Sequence, residues 1–249
     1  MESIVVGKEW RDLKEYGDKG TIFIGRHIVG RGEDAHLTNP VRMDISRPHV
    51  VLICGKRGTG KSYTAGVIAE EIDKLPEDIK SNLTVLMIDT MGIYWSMRMP
   101  NERDEELLKE WGLKPEGIKI RLFVPKGYVG DYTNAGIKVD KVFSIAVSEL
   151  APEDWIITFG FSPIDEHGIL IERVIKTVKA KFERFSIEDV INEIHNDEDS
   201  EDRVKHAVIN RFRAAIDWGI FDKFGTSVEE LLTPGTINVL DLSHYMRIS

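Results

Sequence analysis

Gly55-Lys56-Arg57-Gly58-Thr59-Gly60-Lys61-Ser62 satisfies the pattern GxxxxGK[ST] at every constrained position. Glycines at this spacing let the backbone curl so that successive N–H groups face an anion with no side chain in the way. In that arrangement Lys61 reaches the β- and γ-phosphates of a nucleoside triphosphate, and the Ser62 hydroxyl ligates Mg²⁺. Two acids, Asp89 and Asp241, each close an apolar run, Leu83–Ile88 and Thr236–Leu240. The end of a buried strand is where a phosphate-cleaving site puts its metal-binding carboxylate. Asp89 is followed by Thr90 and Asp241 by Leu242, so neither has a Glu directly after it to orient an attacking water.

A phosphate loop needs a buried strand entering it and a helix leaving it. Val50-Val51-Leu52-Ile53-Cys54 is a short β-branched apolar run, which predicts a strand buried on both faces and makes Cys54 a small core residue. Beyond Ser62, Ala65, Ile68, Ala69 and Ile72 recur at i, i+3, i+4 and i+7, which predicts a helix that ends at Leu75-Pro76. Its N-terminus falls at the loop, where unpaired N–H groups and the dipole favour an anion.

Leu83–Asp89 and Ile118–Val124 read as further strands, with an exposed charged helix from Asn101 to Trp111 between them. Alternating strands and helices predict a parallel sheet. Residues 1–46 are different: short apolar runs broken by glycines, expected to form a small β subdomain, with His27 and His36 in structural roles. From about 149 to 232 the pattern is helical, and because the strand Thr236–Asp241 follows, this block is expected to be an insertion. Its apolar faces are Ile171, Val174, Ile175, Val178 and Phe182; then Ile187, Val190, Ile191 and Ile194; then Val204, Ala207, Val208, Ala215 and Ile216. Ser186 with Asp189, and Thr226 with Glu229, read as capping boxes. The expected fold is therefore α/β, a P-loop NTPase core of RecA-like type over 47–249, with an N-terminal β subdomain and a helical insertion.

The chain has 249 residues and a net charge of −9, which argues against coating nucleic acid non-specifically and leaves a local basic stripe open. No basic leader precedes an apolar stretch and no run is long enough to span a bilayer, so a cytoplasmic protein without membrane contact is expected. The acidic segment from Asn196 to Asp202 reads as a solvated connection that places acids at the next helix's N-terminus.

Four segments carry a resemblance. They are Ile24-Gly25; Ser46-Arg47-Pro48-His49 leading into the phosphate loop; Ile88-Asp89-Thr90-Met91-Gly92-Ile93-Tyr94; and Gly235–Ser243, whose strand ends in Asp-Leu-Ser. In this order around a complete phosphate loop, from about Gly20 onward, the chain resembles the HerA–FtsK group of archaeal and bacterial ATPases, particularly its HerA-like branch. The resemblance implies a homo-hexameric ATPase that pulls double-stranded DNA through a central channel and works with a nuclease on DNA ends. It implies ATP and Mg²⁺ as ligands, held by Gly55, Lys56, Arg57, Gly58, Thr59, Gly60, Lys61, Ser62 and Tyr63. Lys61, Asp89 and Arg47 are then the catalytic candidates, with Ser62 and Asp89 near the metal and Arg47 matching a family arginine near the nucleotide.

The chain departs from the family pattern in one respect. The Walker B strand with its Glu, and the arginine finger, follow the Asp-Leu-Ser strand in HerA-like proteins, so this chain is expected to be a portion of a longer ATPase whose hydrolysis alone is in doubt. Two alternatives stay open at this point. One is a P-loop kinase with Asp89 as the metal acid and Arg203, Arg211 and Arg213 on a helical lid, although Arg211 and Arg213 cannot share a helix face. The other is a nucleotide-responsive binding module that presents Trp95, Met97 and Met99.

Overall fold

In the computed structural model, which describes Glu2–Met246, the elements run β1 (Ile4–Val6), α1 (Trp10–Tyr16), β2 (Thr21–Val29), β3 (His36–Asp44), α2 (Lys61–Asp73), α3 (Glu77–Lys80), β4 (Thr84–Asp89) and α4 (Glu105–Glu110). They continue as β5 (Ile120–Pro125), α5 (Val129–Asn134), β6 (Lys141–Phe143), β7 (Ile145–Ala146), α6 (Pro152–Phe159), α7 (Glu166–Lys181), α8 (Ile187–His195) and α9 (Asp202–Asp217). The last are β8 (Phe221–Asp222), α10 (Val228–Leu231), β9 (Thr236–Asp241) and α11 (Ser243–Met246). The chain divides into two units: Met1–Val85, Ser96–Ile120 and Pro234–Ile237 form one, and Leu86–Trp95, Arg121–Thr233 and Asn238–Ser249 the other.

In the first unit the glycine-broken N-terminal runs pair as a three-stranded sheet, order β1-β3-β2, with β1 parallel and β2 antiparallel to β3. The register of β2 on β3 breaks between Phe23 and Gly25 and again between Arg26 and Ile28, so the strand bends. Ile22 is buried, Phe23 lies 6.4 Å from the Trp111 ring, and the Arg26 guanidinium sits over that ring at 5.8 Å. Asp44, at the end of β3, is also buried. Burial alone would raise its pKa, but hydrogen bonds from Ser46 and His49 outweigh that and leave it lowered.

One sequence expectation fails here. Val50–Cys54 is not a strand: Val50 is 102% and Leu52 84% exposed, and Cys54 is exposed rather than a core residue. The apolar run indicates surface that needs burying, but a strand exists only where a neighbour offers a ladder, and among the described residues none pairs with this segment.

The second unit is built on a four-stranded parallel sheet in the order β4-β9-β5-β6. Leu122, Phe123, Val124, Val239 and Leu240 are buried in it, the both-faces burial that continuous apolar runs predict. Arg121 ties strand to loop by donating to the Glu230 carbonyl, to Thr233 Oγ1 at 2.7 Å and to Asn238 Oδ1 at 3.3 Å.

The helical block has its own core, built by α6 to α9, in which Trp155, Phe159, Ile171, Ile175, Val178, Phe185, Ile194, Val208 and Phe212 are buried together. The expected faces hold except at their edges. Phe182 and Ile216 are 49% and 40% exposed, and α9 turns Ile209 and Phe212 inward. Phe182 falls past the last turn of α7, in extended backbone, where the helical period no longer aims it. The reciprocal Ser186–Asp189 cap forms as expected.

The other predicted cap is displaced by one residue. Ser227, not Thr226, caps α10, because the Thr226 hydroxyl is engaged elsewhere, accepting from the Ser144 N–H at 3.0 Å and donating to the Val142 carbonyl. The acidic connection is more than solvated. Arg173 donates to both Asp197 oxygens, at 2.8 and 3.0 Å, and to Ser200, while Asp202 does open α9. The chain also crosses itself at two glycines: Gly127 donates to the Gly219 carbonyl, and a Cβ on Gly127 would lie 2.7 Å from the Gly219 Cα.

Candidate functional site

The phosphate loop belongs to the first unit, and its backbone explains its composition. Gly58 and Gly60 have φ of 82° and 88°, the left-handed region where a side chain is strained. A Cβ on Gly55 would sit 2.5 Å from Thr59 Oγ1. Thr59 donates from its hydroxyl to the Lys56 carbonyl at 2.8 Å, so the loop closes on itself across three residues.

Gly60 is the N-cap residue of α2, and no side chain caps the helix. The first-turn amides of α2 are therefore the groups a helix leaves to an anion. Lys61, the first residue of the helix, folds back and donates Nζ to the Lys56 carbonyl at 2.7 Å. An ammonium resting on a neutral carbonyl inside the loop is a charge without a counter-charge, ready to exchange that acceptor for a phosphate oxygen. Lys56, Arg57 and Tyr63 are exposed around it and Ser62 is half-buried.

Arg47, also in the first unit, holds Asp12: its Nε and Nη2 both lie 2.7 Å from Asp12 Oδ2. His27 shares a hydrogen bond with Thr38, and His36 contacts the Asp34 carbonyl through Nδ1.

In the second unit, Asp89 is buried and its carboxylate is surrounded by backbone. Oδ1 accepts from the N–H groups of Met91 and Gly92 at 2.9 and 2.8 Å; Oδ2 accepts from those of Ile93 and Tyr94 at 2.7 and 2.8 Å. Four donors fill the roughly four lone-pair sites of a carboxylate. Gly92, at φ 66°, lets the chain turn back tightly enough to aim consecutive amides at one side chain, and Trp95 Nε1 donates to its carbonyl at 3.1 Å. Asp241 ends the neighbouring strand, and the Leu242 N–H bonds the Asp89 carbonyl at 2.8 Å. Its Oδ1 accepts from the Ser243 N–H at 2.9 Å, while Oδ2 is buried and has no hydrogen-bond partner among the described residues.

Two of the three helical arginines have partners of their own. Arg203 pairs loosely with Glu166 at 3.7 Å, and Arg211 lies over the Phe161 ring at 6.0 Å. Trp95 serves the Gly92 turn, and the Met97 carbonyl accepts from Ile118.

A glycine-rich loop in left-handed turns that opens a helix, and a parallel sheet whose strands end in buried acids, are the parts of a P-loop NTPase core. A family model described as "Helicase HerA, central domain" matches residues 22–248. The chain belongs to the HerA family. That membership makes it a HerA-like ATPase-family protein with a P-loop NTPase α/β core. No curated protein sequence matches the chain. Among the described residues of this HerA-family protein, no helix is long and apolar enough to cross a membrane. The sequence reading missed the amide nest around Asp89. Its one signal was Gly92, three residues after an acid, where the chain can double back.

Proposed function

We propose that this chain is the ATP-binding portion of a DNA-translocating ATPase that acts in DNA-end processing. The observation that carries the reading is the phosphate loop, with its left-handed Gly58 and Gly60, uncapped α2 N-terminus and Lys61 ammonium on the Lys56 carbonyl. Those residues fit a triphosphate, since the loop offers it the first-turn amides of α2 and the Lys61 ammonium. Bound ATP would supply the phosphoryl bond whose cleavage drives movement, with Mg²⁺ neutralising its charge at the Ser62 hydroxyl. Lys61 then holds the outer phosphates, and Gly55 to Tyr63 form the cradle.

Arg47 is proposed as an electrostatic contributor near the nucleotide, and Asp89 as the acid that organises the 90–94 loop. Duplex DNA as the track, a homo-hexamer as the working form, a nuclease as partner and the cytoplasm as location complete the reading, all through membership in the HerA family.

Binding of a fluorescent ATP analogue, with and without Mg²⁺, tests it directly. Wild type should bind, and Lys61→Ala should lose at least tenfold in affinity. ATP turnover, where measurable, should rise with duplex DNA. Equal affinity in Lys61→Ala, or turnover that needs a small phosphoryl acceptor and ignores DNA, refutes the reading.

A further inference from the structure

Asp241 is 1% exposed, and its Oδ2 has no hydrogen-bond partner among the described residues. A carboxylate oxygen removed from water and given no donor is among the least favourable arrangements in a protein interior. What seals it is the turn at Gly92. A Cβ on that residue would lie 3.5 Å from Asp241 Oδ2 and 2.5 Å from Ser243 Oγ, so only the bare α-carbon closes over the pair.

The loop that forms this seal is not held by apolar burial, since Met91 and Ile93 are 63% and 40% exposed. Hydrogen bonds hold it: the four amides on Asp89, the Trp95 indole on the Gly92 carbonyl and the Leu242 N–H on the Asp89 carbonyl. One strand-end acid therefore pulls the loop shut, while the other is left with an oxygen that no described group meets. Opening the loop exchanges these bonds for bonds to water, a cost that the ligand bound behind it must exceed.

The polar atoms nearest a Cβ on Gly92 are Ser243 Oγ and Asp241 Oδ2, both oxygens. Hard oxygen donors of this type suit Mg²⁺, Ca²⁺ or Mn²⁺, and Mg²⁺ in particular binds through one or two protein oxygens while keeping several waters. A hydrated cation does not fit under the closed turn. We propose that the Asp89–Tyr94 loop is a latch closed over Asp241, and that a hard divalent cation opens it by taking the Asp241 and Ser243 oxygens as ligands. Nucleotide has no part in this event, so the proposal stands apart from the phosphate loop.

The test uses the full chain without nucleotide and Mn²⁺ alone as probe. Binding is followed by the loss of the free-ion paramagnetic resonance signal. Loop movement is followed by the Trp95 contribution to fluorescence, taken as the difference from Trp95→Phe. Wild type should bind one Mn²⁺ with a change in Trp95 emission, and Mg²⁺ should compete. Asp241→Asn should weaken Mn²⁺ at least tenfold, because it removes a carboxylate oxygen from the site. Gly92→Ala, whose methyl collides with Ser243 Oγ, should favour the open loop and tighten Mn²⁺ binding.

Ser62→Ala should bind Mn²⁺ as wild type does; loss of the ion there would assign it to the phosphate loop and overturn the proposal. It is equally overturned if wild type binds no Mn²⁺ at millimolar concentration, if Asp241→Asn binds like wild type, or if Mn²⁺ binds with Trp95 emission unchanged.

Discussion

Replacing Asp89 by Asn measures what its carboxylate does in this fold. The side chain is buried, and all four of its hydrogen bonds come from consecutive backbone amides, Met91 to Tyr94, at 2.7 to 2.9 Å. Asparagine keeps one oxygen, which can still accept two of the four, now without a negative charge. On the other side its NH₂ group faces two N–H donors, so two bonds become donor–donor contacts. A hydrogen bond to a charged acceptor is worth about 1.5–3 kcal/mol. Losing two and weakening two, with partial relief as the loop shifts toward water, comes to about 3–4 kcal/mol.

At about 2–4 °C per kcal/mol for a unit of this size, the melting midpoint should fall by about 10 °C. Circular dichroism melts and urea titration of wild type and Asp89→Asn give the number, and hydrogen exchange gives the location. Amides 91–94 should be protected in wild type and exchange within seconds in the variant. A midpoint within a degree of wild type, with those amides still protected, would mean that the carboxylate does not build the loop, and the reasoning fails.

Three further outcomes follow from the packing. Gly127→Ala should destabilise by about 2 kcal/mol or more, because its Cβ would meet the Gly219 backbone at 2.7 Å and backbone cannot swing aside as a side-chain end can; urea midpoints check it. Arg173→Ala should cost about 2 kcal/mol, between the values for buried and surface pairs, since Asp197 is 8% but Arg173 37% exposed. Burial raises the Asp197 pKa, yet the bonds from Ser200 and Arg173 prevail and leave it below the ordinary carboxylate value. The pair's contribution is therefore complete above about pH 4 and is lost as pH falls through the lowered folded value, so wild-type and Arg173→Ala stabilities should converge in acid and stay apart at neutral pH. Trp155→Phe should cost only about 1 kcal/mol, less than usual for shrinking a buried aromatic, because the indole N–H it removes is buried and has no partner among the described residues; a chemical melt of the variant decides.

What could be read from the sequence depended on how local each determinant is. The phosphate loop, the helix after it and the Ser186–Asp189 cap are set by residues within one or two turns of each other, and the chain spells them out. The buried face of Ile171, Val174, Ile175 and Val178 was legible for the same reason, because a helical period fixes which residues share a side. Thr226 and Ser227 show where this stops. Each is a hydroxyl residue with a Glu three positions on, so local pattern cannot rank them. Contacts with Val142 and Ser144, more than eighty residues away, take the Thr226 hydroxyl and leave the cap to Ser227. Val50–Cys54 stops at the same boundary: apolar content is local, while a strand partner is not.

Asp89 and Asp241 make the sharper case, because the sequence presents them as equals. Each closes an apolar strand, each is buried, and neither is followed by a Glu. What separates them is the next few residues of backbone. After Asp89, Gly92 permits a turn that brings four amides onto one carboxylate; after Asp241, the chain enters the short helix α11 and offers a single amide, that of Ser243. An acid whose lone pairs are filled by its own loop must give up structure to bind anything else. An acid with one oxygen empty gains by binding. Of the two, then, Asp241 is the carboxylate with coordination to spare, and the loop built by Asp89 is what stands between it and a ligand.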